Sequence, residues 1–423
     1  MSAFTTSAVS GGVRVPASVD LTCGIVVAGS ANGTVFDAAQ ALQPSQPADP
    51  LVHMTTLPVP SGWSVPSAFL GITAHRWPFG ISEAPNIPYS VVRSHDYQPS
   101  SDSLYWVDLE KSPGVWSWSL FDSWINTHKQ TGVEVILNVG CTPSFYAGTV
   151  PAFAVGIEVA GTGSSVAPTN MTKWTDYITA VVNRAVNVLG LPAGKLLLEL
   201  WNEPHPTSGF SHYYYSDTWA KMAEMTRLAN LAAKAVNASV RIISTAVSKI
   251  EAFGRGEMAS MLDASAVGLS FGGNDGTATT CANWIDVLGL HSYATADTLG
   301  YNYGQSILSN MASVIALRDA RACVGKPIWN TEIGYIDAAK APENVKIKRI
   351  VRLLAAAACS GCAKVVFYSW DSGNMGGVDT SSAAQSRINQ MVTALAGKSV
   401  SGVVADRDGT LTVRLGDGSV FTA

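Results

Sequence analysis

The feature that most constrains this chain is an alternation. Eight short runs of β-branched and apolar residues, Phe69–His75, Tyr89–Asp96, Val133–Gly140, Lys195–Asn202, Val240–Val247, Asp286–Tyr293, Pro327–Glu332 and Lys364–Trp370, are separated by longer stretches of helical period. The helical signal is clearest at Trp174–Leu189, Asp217–Val236, Gln305–Ala322, Val345–Ala358 and Ala383–Leu395. Such alternation implies a parallel sheet, because consecutive parallel strands need a crossover between them. Eight strands are the number that closes an α/β fold into a (β/α)8 TIM barrel. The rival, a doubly wound open sheet, usually carries a glycine-rich phosphate turn after its first strand. Here that turn reads His75-Arg76-Trp77-Pro78, which favours the barrel. The link Arg76–Pro88 holds three prolines, so one barrel helix is expected to be degenerate.

The expected organisation is an N-terminal extension over residues 1–66, a barrel over 67–396 and a C-terminal segment over 397–423. The extension is rich in Ser, Thr, Gly, Ala and Pro, with one apolar run, Cys23–Ala28, that reads as a candidate strand. Val403–Ala423 alternates apolar and polar residues around Gly416-Asp417-Gly418, a hairpin signal, and is a candidate to pair with the extension as a small β module.

With 423 residues, 47% hydrophobic and 14% charged, the chain is expected to be globular rather than disordered. Its net charge of −4 comes without a lysine or arginine cluster, which argues against nucleic-acid partners and a basic membrane face. No run of about 18 apolar residues occurs, so a soluble protein is expected. Met1-Ser2-Ala3-Phe4 does not open a secretory signal. The six cysteines are scattered. Cys359-x-x-Cys362 lacks the second pair or histidines that zinc needs, so buried thiols are expected, with no metal or cofactor.

Catalytic groups of such a barrel come from the C-terminal ends of strands. Here those ends hold His75, His95 with Asp96, Asn202 with Glu203, His291 with Tyr293, Glu332, and Trp370 with Asp371. Glu203 ends the fourth run and Glu332 the seventh, so two carboxylates are expected to face each other across the mouth. Acetal hydrolysis needs such a pair: one carboxyl protonates the leaving oxygen while the other meets the developing oxocarbenium ion. Arg93 has inward parity on the second strand, where it can hold a carboxylate ionised, and is expected near Glu332. Glu199, also inward, is the competing partner for Arg93 in a supporting ion pair.

These residues carry a resemblance. Asn202-Glu203-Pro204 at strand four, with a glutamate at strand seven, resembles clan A of the glycoside hydrolases, the retaining barrel enzymes. Gly71-Ile72-Thr73-Ala74-His75, Val92-Arg93-Ser94-His95-Asp96 and Gly114-Val115-Trp116-Ser117-Trp118 are most similar to family 39. The resemblance spans roughly residues 68–395. It implies that Glu203 is the acid/base and Glu332 the nucleophile. It further implies that Asn202 binds the sugar 2-hydroxyl, that His291 and Tyr293 form the polar pair after strand six, and that Trp370 is the aromatic floor. His75 and His95 are further candidates for substrate binding.

Each reading has a plainer rival. Asn-Glu-Pro alone could be a helix cap, His291 a satisfied core histidine, and His95 with Asp96 a hydrogen-bonded strand end. Trp116 and Trp118 precede a helix and are expected to pack in the core. Asp337, Asp371, Lys346, Lys348 and Arg349 read as solvated rims or helix faces. The expected activity is that of a retaining glycosidase on a polysaccharide or oligosaccharide. The alternatives are a non-catalytic carbohydrate-binding barrel and a metal-dependent hydrolase, the last disfavoured because His75 lacks a His-x-His partner. Without a secretory signal, localisation stays open between virion-attached, non-classically exported and intracellular action.

Overall fold

The structure, a computed structural model, describes residues 28–31, 34–37, 55–78, 84–98, 102–206, 214–265, 279–293, 305–335, 341–372, 377–406 and 409–423. It divides into two compact units, Met1–His53 and Met54–Ala423. In the first, Ala28–Ala31 pairs antiparallel with Thr34–Asp37. The candidate strand at Cys23–Ala28 lies outside the described residues except for Ala28.

In the second unit one eight-stranded parallel sheet contains β1 Leu70–Thr73, β2 Val91–Arg93, β3 Glu134–Val139, β4 Leu196–Leu200, β5 Arg241–Ile243, β6 Leu288–His291, β7 Ile328–Ile333 and β8 Lys364–Tyr368. Seven of the expected runs hold one of these strands each, and the remaining strand, β7, extends one residue past its run, to Ile333. β8 pairs with β1, Val365 opposite Leu70. Parallel bridges Ile243–Val287 and Val247–Leu290 join the β5 and β6 segments, and so the sheet closes. The chain therefore has the (β/α)8 barrel that the alternation implied.

The barrel separates two hydrophobic layers. Inside it, Val91, Ile136, Leu197, Ile243, Val287, Trp329 and Val366 form their own cluster. The strand β1 contributes Gly71 near this layer, where an added Cβ would stand 2.3 Å from Val91 Cγ1. Two residues further along β2, β3 and β4, at the same inward parity, the sequence turns polar: Arg93, Asn138 and Glu199, all buried. This polar layer is the floor of the mouth.

Outside the sheet run α1 Ser119–Thr131, α2 Met171–Asn183, α3 Trp219–Val236, α4 Ala252–Asp263, α5 Gln305–Asp319, α6 Glu343–Cys359 and α7 Ser382–Leu395. Their starts follow from capping side chains: Asn170, Thr218 and Ser381 accept backbone N–H bonds from Thr172, Lys221 and Ala384. Gly132 ends α1 at φ 70°. Beyond Asn183, α2 continues as a π turn over Arg184–Val188, and no helix occurs among the described residues of the Arg76–Pro88 link. Trp116 stacks on Trp118 at 5.0 Å between ring centroids, which is packing as expected.

The C-terminal hairpin is present, Leu411–Leu415 with Val420–Thr422, and Val400–Ala405 joins it. Thr55–Leu57 pairs with Val400–Ala405 as a fourth antiparallel strand. Leu57, Val403, Val413 and Phe421 are buried and belong to the same hydrophobic cluster as the barrel helices.

Candidate active site

Four described non-glycine residues have positive φ: Asp96 (56°), Cys141 (60°), Trp201 (53°) and Glu203 (35°). All lie just past β2, β3 or β4, at the C-terminal face. Such conformations cost on the order of 1–3 kcal/mol each and cluster where a side chain must be aimed. Here they turn Asp96 and Glu203 into the mouth.

Arg93 is the hub. Its Nε donates to Glu199 Oε2 at 2.6 Å, Nη1 to Glu332 Oε2 at 2.6 Å and Nη2 to Asn202 Oδ1 at 2.7 Å. Both expected partners of Arg93 are thus satisfied at once. Burial alone would push the guanidinium down, but Glu199 and Glu332 outweigh it and hold it above its ordinary value. Asn138 Nδ2 donates to Glu199 Oε2 at 3.2 Å and to the Trp201 carbonyl at 3.0 Å, so the polar layer also fixes the bend that carries Glu203.

The other oxygen of Glu332, Oε1, accepts from Tyr293 OH at 2.5 Å. Glu203 Oε1 lies 2.7 Å from His291 Nδ1. A Glu203 oxygen, a His291 nitrogen and a Glu332 oxygen lie within 4.8 Å of one another. The two carboxylates sit differently: the Glu332 side chain is 7% exposed, that of Glu203 23%. Burial pushes the Glu203 carboxyl up, yet the hydrogen bond and charge of His291, with the fields of His95 and His205, hold it below its ordinary value.

The opposite wall comes from β1, β2 and β8. His95 Nε2 lies 3.3 Å from Asp96 Oδ2 and 4.0 Å from Glu332 Oε2. Asp96 also accepts from Tyr105 OH at 3.1 Å and Tyr368 OH at 2.6 Å. Burial raises the Asp96 carboxyl, but His95, Tyr368 and His75 outweigh it, leaving it well below the usual range. The His75 ring packs 5.0 Å from that of Tyr368. Burial pushes its imidazole down against the pull of Asp96 and Asp371.

Two expectations are corrected. Trp370 is fully buried in the hydrophobic core and presents no face to the mouth; the aromatic residue that β8 supplies there is Tyr368. Asp371 is not a solvated rim. It is buried and accepts from the backbone N–H groups of His75, Arg76 and Trp77 at 2.7, 2.9 and 2.9 Å, anchoring the turn after β1. Asp337 lies outside the described residues. Sequence reasoning missed Tyr368, Tyr105 and Tyr214, whose ring lies 5.2 Å from His95. Only Tyr368 carried a signal, its shared parity with Val366.

Glu203, His291 and Glu332 have the donor types and spacing of a metal triad. The partners of Glu332 argue for another use. One of its oxygens accepts from Arg93 and the other from Tyr293, so a cation bound there would face a guanidinium at close range.

No protein-family model matches the chain, and no curated protein matches it. Solved structures do. A glucosidase from Croceicoccus marinus has 15% identity and TM-score 0.54 over 86% of this chain and 77% of that one. A GH39 β-xylosidase from Caulobacter crescentus has 17% identity and TM-score 0.53 over 85% and 78%. A GH39 enzyme from Xanthomonas axonopodis pv. citri has 13% identity and TM-score 0.56 over 85% and 74%. At these identities the likeness establishes the fold: the barrel is the one that the resemblance to clan A and family 39 implied.

Proposed function

We propose that this chain is a retaining glycoside hydrolase acting on a polysaccharide or oligosaccharide, with Glu332 as nucleophile and Glu203 as acid/base. The observation that carries the reading is the approach of Glu203 and Glu332 oxygens to within 4.8 Å at the ends of β4 and β7. Retaining pairs stand about 5–5.5 Å apart, whereas an inverting pair needs about 6.5–9.5 Å to admit water.

The surroundings support distinct roles. Arg93 and Tyr293 each hold one oxygen of Glu332 and so aim it at one point, as a nucleophile for an anomeric carbon must be aimed. Asn202 accepts from Arg93 through Oδ1, which leaves its Nδ2 to donate to a sugar hydroxyl. Glu203 and His291 share a short hydrogen bond, and the pair supplies the proton to the leaving oxygen. In the second half-reaction the Glu203 carboxylate takes a proton from the water that opens the glycosyl ester. The electrostatics that lower Glu203 favour this base role.

Activated 2-fluoro glycosides test the nucleophile, beginning with xylosides and glucosides because the similar structures include a β-xylosidase and a glucosidase. The covalent adduct is expected on the peptide holding Glu332; an adduct elsewhere removes the assignment. Glu203→Ala should lose about 10²–10⁴-fold with poor leaving groups, far less with activated ones, and recover with azide. Equal loss across leaving groups would sink the acid/base role.

A further inference from the structure

A serine, a histidine and a glutamate form a hydrogen-bonded chain at the same end of the barrel, beside the carboxylate pair but outside it. His205 Nε2 lies 3.3 Å from Ser248 Oγ, and His205 Nδ1 lies 3.1 Å from Glu257 Oε1. With the ring proton on Nδ1, the imidazole donates to Glu257, and its Nε2 accepts from the Ser248 hydroxyl. That is the connectivity of nucleophile, base and orienting acid. The serine contact is at the long edge of the range, as such contacts are before substrate binds.

The fold puts these groups where a barrel places chemistry. Bridges Asn202–Ala246 and Val247–Leu290 carry the β5 segment up to Ser248, so the serine sits at a strand's C-terminal end. His205 follows Glu203-Pro204 at the end of β4, its own N–H bonded to the Tyr215 carbonyl at 3.1 Å. Glu257 lies in the second turn of α4. Burial is graded as the chemistry requires. His205 and Glu257 are 5% and 9% exposed, while Ser248 is partly exposed.

The N-terminal turn of α4 packs against this strand end. At Gly254 an added Cβ would stand 1.9 Å from the Lys249 carbonyl oxygen, so only glycine lets the helix lie this close to the backbone beside Ser248.

We propose that Ser248, His205 and Glu257 form a second hydrolytic site, which cleaves carboxylic esters carried as O-acyl groups on a glycan. Ser248 Oγ bonds to the acyl carbon while its proton passes to His205 Nε2; the C–O bond to the sugar then breaks, and the imidazolium returns the proton to the leaving sugar hydroxyl. Water, deprotonated by His205, opens the acyl-serine to release the carboxylic acid and restore the serine. Only the glycan as carrier rests on the proposed glycosidase reading, because His205 and Glu203 share one strand end; the ester chemistry stands apart from it.

The full chain treated with a fluorophosphonate, digested and mapped by mass spectrometry, should be labelled at Ser248. Ser248→Ala should lower p-nitrophenyl acetate hydrolysis at least about a hundredfold with the circular dichroism unchanged. Absence of label at Ser248 in the wild-type chain, or hydrolysis by Ser248→Ala at the wild-type rate, would overturn the site and leave the three residues as a loop anchor. Acetate release from an O-acetylated xylo-oligosaccharide is expected; cleavage of the aryl ester alone overturns the glycan as carrier. Aryl glycoside hydrolysis measured in the same preparation reports on the glycosidase reading separately, since either activity can be lost while the other is seen.

Discussion

Arg93 shows how much of the site hangs on one side chain. It is fully buried with three acceptors, two of them carboxylates, so removing it leaves Glu199 and Glu332 as uncompensated charges. Arg93→Met should therefore destabilise by about 3–5 kcal/mol in denaturant titration, and adding Glu199→Gln should recover part of that loss. A single-mutant cost under about 1 kcal/mol would show that the network is not electrostatically coupled. His291 governs a different property. Its hydrogen bond and charge pull Glu203 down, so His291→Phe lets burial dominate and raises the Glu203 carboxyl. An acid is lost as pH rises through its pKa, so the alkaline limb of kcat/KM should move to higher pH; a fixed or downward-moving limb would contradict the pairing. Trp370 and Tyr368 separate packing from contact. Trp370→Phe should lower Tm with KM little changed, because the indole is wholly buried, whereas Tyr368→Phe removes a hydroxyl from Asp96 and should raise KM.

At the scale of elements, α1 carries a pH-dependent weakness. His128 is buried against Trp124 at 4.6 Å and Trp77 at 5.1 Å, and neither ring nitrogen has a hydrogen-bond partner among the described residues. Burial pushes its imidazole down to about 3. The unfolded chain, with an ordinary value near 6.5, binds the proton first, so this group's stability contribution is intact above about pH 6.5 and is lost as pH falls toward 3. Between pH 7 and 5 that amounts to about 2 kcal/mol, at 1.4 kcal/mol per unit. His128→Leu should lose correspondingly less stability over that interval in urea melts; equal losses would refute the assignment. The elements themselves were legible because period and parity are local. Inward parity placed Arg93 and Glu199 in one layer, and the strand-end rule found Glu203, Glu332, His291 and Tyr293. The resemblance and its place at the end of the eighth run assign Trp370 to the mouth, but the strand itself stops at Tyr368 and the indole two residues on is buried. Asp371 looked like any rim acid because its three amide donors lie almost 300 residues away, a juxtaposition only the closed barrel creates. The contacts of His205 with Ser248 and Glu257 join β4, β5 and α4, and no local spacing announces them.

At the scale of the molecule, the small antiparallel sheet is continuous with the barrel's packing. Leu57, Val403, Val413 and Phe421 belong to the same hydrophobic cluster as Ile350 and Leu354 of α6 and Ile388 of α7. Arg352 Nε donates to the Ala423 carbonyl at 3.1 Å, and the Arg387 guanidinium lies 5.1 Å from the Phe421 ring centroid. A module that buries its apolar face only against the barrel helices has no core of its own, so it gains stability from the barrel and gives it back by covering α6 and α7. Residues 54–423 should therefore unfold in one calorimetric transition that includes the sheet. Ending the chain at Lys398 should lower the Tm of the barrel itself rather than abolish a separate, smaller transition. A resolved second transition within residues 54–423, or an unchanged barrel Tm after truncation, would mean that the sheet is an independent domain and that its shared cluster carries little energy.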